Sequence, residues 1–80
     1  MEKVFTIEFD QKGETIEFLF NKAGAEYLRN ILDRLISNNQ NEHFHLMTPN
    51  WGGNELSTNQ QNLSADIKLI NHLKIVYWNE

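Results

Sequence analysis

His43-Phe44-His45 is the first place where residue type and spacing suggest chemistry. Two histidines at i,i+2 on a strand project from the same face, about 6.5–7 Å apart along the backbone. If His72 came from a neighbouring strand, three imidazoles would converge as they do in chelated metal sites. The plainer reading, of exposed or hydrogen-bonded imidazoles, comes first, because three His among 80 residues is unremarkable. Trp51-Gly52-Gly53 is the second such place. Paired glycines permit sharp or left-handed turns, so Trp51 can either fold back to close the core or stand out as a binding anchor. Covalent catalysis has no foothold. The chain has no Cys, and Ser37, Ser57 and Ser64 fall in loops or at a helix end, outside any G-x-S-x-G turn. Glu8 and Glu17 could face each other across a hairpin, but acid–base work by such a pair needs a pocket that a thin core hardly provides. Gly52-Gly53 lacks the spacing and the following Lys-Ser/Thr of a phosphate loop. No enzyme and no cofactor are expected.

The elements that must position these residues follow from periodicity. Lys3 to Phe9 alternates with Phe5, Ile7 and Phe9 on one face, and Thr15 to Phe20 alternates with Ile16, Phe18 and Phe20 on one face. The turn Asp10 to Glu14 joins them as a hairpin, with Gly13 the residue free to take positive φ. Asn21 is an N-cap, and Leu28, Ile31, Leu32, Leu35 and Ile36 recur at helical spacing up to about Ser37. Gly24 weakens the first turn slightly, and an Asn in the run Asn38–Asn41 can take the left-handed cap. A third strand runs from Glu42 to Met47 and stops at Thr48-Pro49. A long polar connection from Asn50 to about Asp66 leads to a last strand within Ile67–Trp78. The expected fold is α+β, a single domain over residues 1–80. It consists of a four-stranded, mostly antiparallel sheet in ββαββ order with one helix packed on one face. That face should carry Phe5, Ile7, Phe9, Ile16, Phe18, Phe20, Phe44, Leu46, Leu73, Ile75 and Tyr77. The other face, open, should show Thr6, Glu8, Thr15, Glu17, His43, His45, His72 and Lys74, with Val4, Leu19, Met47, Val76 and Trp78 as apolar islands. Mixed faces with aromatic and Met anchors suit protein contact.

Composition bounds the partners. A net charge of -4 with 7 Lys and Arg gives no basic face for nucleic acid, and an acidic balance suits a basic partner better. No apolar run approaches the ~20 residues of a membrane span. The absence of cysteine and of a visible secretory signal points to the cytoplasm.

The run His43-Phe44-His45-Leu46-Met47-Thr48-Pro49-Asn50-Trp51-Gly52-Gly53-Asn54-Glu55-Leu56, followed by Asn71-His72-Leu73-Lys74-Ile75, resembles the immunity protein 32 family, small bacterial proteins associated with polymorphic toxin systems. The resemblance implies a non-catalytic role, binding and neutralising a cognate toxin. From the residues themselves, the contact positions expected are His43, His45, Trp51, His72, Lys74 and Trp78, with Gly52 and Gly53 shaping the loop. Two other classes stand beside this one: a metal-binding or ligand-sensing domain built on the three His, and a structural homodimer joined by the open face or by an edge strand.

Overall fold

The computed structural model describes residues 2–80; Met1, with which the expected domain begins, lies outside the described residues. The fold is α+β with one α-helix and five strands: β1 (Phe5–Asp10), β2 (Thr15–Phe20), α1 (Lys22–Asn38), β3 (Glu42–Met47), β4 (Ile67–Ile70) and β5 (His72–Tyr77). No helix among the described residues is long and apolar enough to cross a membrane.

The strands do not form the single four-stranded sheet that alternation predicts. They form two antiparallel sheets, β2-β1-β4 and β3-β5. The cause is Asn71, which interrupts the expected last strand. Its carbonyl accepts from the Thr48 amide at 3.0 Å and its side chain accepts from the Thr48 hydroxyl at 2.7 Å. The chain before Asn71 pairs with β1 and the chain after it pairs with β3. Leu56 is buried where the two sheets diverge. Its amide bonds the Met47 carbonyl at 3.1 Å, and the next amide, Ser57, bonds the Phe5 carbonyl at 2.8 Å.

The hairpin register sets Glu8 opposite Glu17 and Phe5 opposite Phe20. Its turn is held by Asp10, whose Oδ1 accepts from the amides of Lys12 and Gly13 at 3.0 and 3.1 Å. The residue with positive φ is Glu14, at 52°, not Gly13 as composition suggested. Asn21 caps α1, accepting from Gly24 N–H at 2.9 Å. The same oxygen accepts from Val4 N–H at 3.0 Å, so one side chain ties the helix start to the strand start. Asn39 closes the helix in the left-handed conformation.

The buried apolar core is Phe5, Ile7, Ile31, Leu35, Leu46 and Leu56. Phe44, Leu73, Ile75 and Tyr77 pack against it, as their strand parity predicts. Phe18 and Phe20 meet the core on one side only, their rings 6.2 and 6.0 Å from the Phe5 ring, and with Ile16 they stay 53%, 46% and 46% exposed in the order Ile16, Phe18, Phe20. An α-helix about 10 Å wide covers roughly two strands spaced about 4.8 Å apart, and α1 leaves the edge strand β2 largely uncovered. The opposite face of β1 also departs from expectation. Thr6 and Glu8 are fully buried, because the connection after Leu56 folds over them. Glu8 accepts from the Thr6 hydroxyl at 2.6 Å and from the amides of Gln61 and Asn62 at 2.9 and 3.0 Å.

Candidate functional site

The open face is the outer face of β3-β5. The register places His43 opposite Val76, His45 opposite Lys74 and Met47 opposite His72. Directly opposed residues of an antiparallel pair share a face, so these side chains lie together while Phe44, Leu46, Leu73 and Ile75 point to the core. Trp78 follows β5 in the same alternation and is 72% exposed. Trp51 arrives from a 3-10 turn over Pro49–Trp51 and lies 6.2 Å from the His72 ring, centroid to centroid. The six side chains singled out from the sequence as contacts are therefore all exposed on or beside one ribbon face.

Within that face the imidazoles are ordered by one another. His45 Nδ1 and His72 Nε2 are 2.8 Å apart, so one ring nitrogen donates and the other accepts, which requires an acceptor ring that is neutral. The His43 ring meets His45 edge-on at 5.0 Å. Loss of solvation pushes the His45 pKa below its ordinary value, and the neighbouring His72, His43 and Lys74 push it further down. Both effects favour the neutral form of His45. Its NMR titration midpoint is expected below the ordinary imidazole value, and His72→Ala should move it part of the way back. A midpoint at the ordinary value in the native protein would contradict the observed packing. Among the described residues no three His, Cys, Asp or Glu side chains are grouped to hold a metal ion.

The loop that presents Trp51 explains much of the Thr48–Leu56 run as scaffolding. Thr48 is buried, and its carbonyl accepts from the amides of Trp51 and Gly53 at 2.9 and 3.0 Å. Gly52 has φ 90°, a conformation open to glycine at little cost. A Cβ on Gly53 would fall 2.7 Å from the Met47 carbonyl oxygen and 2.6 Å from Glu55 Oε1. That Glu55 oxygen accepts from Met47 N–H at 3.0 Å. Gly52 and Gly53 thus shape the loop, and Trp51 is the large side chain that it leaves outside, 58% exposed. Lys3 secures the far side of the loop, donating to the carbonyls of Asn54 and Glu55 at 3.1 and 2.8 Å. Its ammonium sits 3.9 Å over the Tyr27 ring, and loss of solvation lowers its pKa.

Sequence reasoning missed the neighbours of this face on α1. A cleft of about 360 Å³ between α1 and β3 is bordered by Tyr27, Arg34, Phe44, His45 and Glu55, with the Arg34 guanidinium 5.3 Å over the Phe44 ring. The available signal was helical phase: Tyr27, Asn30 and Arg34 occupy the flank beside the buried Ile31 and Leu35. Comparison with family models, with curated proteins and with solved structures found no match.

Proposed function

We propose that this chain is a non-catalytic, cytoplasmic binding protein that neutralises a cognate bacterial toxin. The contact surface is the outer face of β3-β5. The observation that supports this reading is the convergence of His43, His45, His72, Lys74, Trp51 and Trp78 on one exposed surface. Exposed indoles are common anchors of protein interfaces, and an open, exposed face suits a macromolecule better than a small ligand, which is normally enclosed. Within β3 and β5 this face carries no carboxylate. Its imidazoles and Lys74 offer hydrogen-bond donors to a toxin surface, and the indoles supply contact area. The toxin class is drawn from the resemblance carried by residues 43–56 and 71–75.

Both indoles are largely solvated, so removing them should affect binding and not folding. Trp51→Ala and Trp78→Ala are each expected to weaken capture of the cognate toxin by about 30-fold, the hot-spot range of roughly 2 kcal/mol. Thermal unfolding should stay within a few degrees of the native protein, as for surface substitutions of roughly 0.5 kcal/mol. Calorimetric titration of each variant with the toxin captured by the native chain separates the two effects. Native-like affinity in both variants would place the contact surface elsewhere.

A further inference from the structure

A second surface is unaccounted for by toxin binding. Strand β2 is an edge, paired only with β1 among the described residues, and its Ile16, Phe18 and Phe20 are half exposed. Since Tyr27, Asn30 and Arg34 form the α1 flank that meets β3, the opposite flank, carrying Leu32 and Ile36, lies on the β2 side. Leu32 is 43% and Ile36 62% exposed. Natural edge strands are usually blunted by Pro, by bulges or by inward-pointing charge. β2 has none of these on its apolar face. Exposed apolar side chains beside a free edge make a surface that association would cover.

We propose that a second copy of this chain covers it, by antiparallel pairing of the two β2 edges about a two-fold axis through Phe18. This register sets Ile16 opposite Phe20 of the second copy and Phe18 opposite itself. It also brings Glu14 to Lys22 of the second copy, just beyond each strand end, so that two complementary charge pairs flank the apolar centre. A one-residue slip puts the two apolar faces on opposite sides of the joined sheet. A two-residue shift one way sets Glu17 against Glu17 of the second copy. The shift the other way sets Lys22 against Ile16. The sequence therefore favours one self-complementary register, as a two-fold interface demands. The product is a six-stranded sheet, β4-β1-β2-β2-β1-β4. The β3-β5 faces remain free, so this pairing is compatible with toxin binding and independent of it.

Sedimentation equilibrium of the full chain tests the pairing. A concentration-dependent dimer is expected, and a monomer throughout the micromolar-to-millimolar range overturns the proposal. Glu14→Lys and Lys22→Glu, both exposed and outside the core, should each raise the dimer dissociation constant about tenfold, and together should restore it. Phe18→Glu should give a folded monomer. A dimer indifferent to the charge reversals, or a double variant no better than either single one, overturns the register even if Phe18→Glu fails to fold.

Discussion

Gly24→Ala is expected to destabilise the domain by about 3 kcal/mol or more, against the ~1 kcal/mol that Ala gains over Gly within a helix. The reason lies at the junction of β2 and α1. A Cβ on Gly24 would overlap the Val4 carbonyl oxygen and lie 2.8 Å from the Phe20 Cβ. That carbonyl accepts from the Asn21 amide at 3.1 Å, and the Asn21 side chain holds both Val4 and Gly24. Nothing at the contact is a flexible side-chain tip that could swing away. The helix start must lift off β1, and the cap and the strand end are disturbed together. For a domain of this size the loss corresponds to a fall in Tm of roughly 15 °C. Urea denaturation should show a lower midpoint with an unchanged slope. A variant as stable as the native protein, or more so, would mean that α1 does not approach β1 this closely.

The second large effect is centred on Glu8. Burial alone pushes its pKa up, but the bonds from the Gln61 amide, the Thr6 hydroxyl and the Asn62 amide together hold it below the ordinary glutamate value. The sign of the pH dependence follows. The folded state binds the proton less readily than the unfolded state. The stabilisation is therefore fully present above the unfolded pKa and is lost as pH falls through the folded pKa. Glu8→Gln replaces one acceptor oxygen with a donor facing amides that already donate. It should cost about 2 kcal/mol at neutral pH and should flatten the acid limb of the stability profile. Hydrogen exchange at Gln61 and Asn62 should speed up in the same variant, because the carboxylate is what holds that loop on β1. An acid limb parallel to that of the native protein would assign the acid sensitivity to another group.

These two sites also mark where the sequence stopped being readable. Gly24 looks like a mildly poor helix residue because helical propensity is local, whereas its constraint is a backbone carbonyl 20 positions earlier in the chain. Glu8 alternates as a solvent-facing residue should, and a polar side chain buried against backbone amides has the same pattern. The amides that satisfy it come from residues 61 and 62, in a connection without periodicity. Asn71 gives no sign that a strand changes sheets there, because the alternation resumes after it. Alternation did mark the core face of β2 but not the width of one helix, which is why Ile16, Phe18 and Phe20 stay about half exposed although the Phe18 and Phe20 rings rest against the core residue Phe5. The strands β1, β2 and β3, the Asn21 cap and a left-handed Asn within the run Asn38–Asn41 were legible, since each rests on local chemistry; that Asn39 is the one was not. So was the company kept by His43, His45, His72, Lys74 and Trp78, because strand parity alone puts them on one face once β3 and β5 pair. Trp51 joined them through its loop, whose geometry depends on the bonds that Glu55 and Leu56 make back to Met47.

The central claim is that the β3-β5 face holds a toxin. The most direct measurement is affinity capture from the chain's native cells, with the native protein and a Trp51→Ala/Trp78→Ala double variant compared side by side, followed by assay of the captured protein's toxicity with and without the purified domain. The expected result is one stoichiometric protein with a toxic activity that the native domain abolishes, absent from the double variant. Capture of no such protein from cells shown to express their toxins, or equal capture by both forms, would contradict the account.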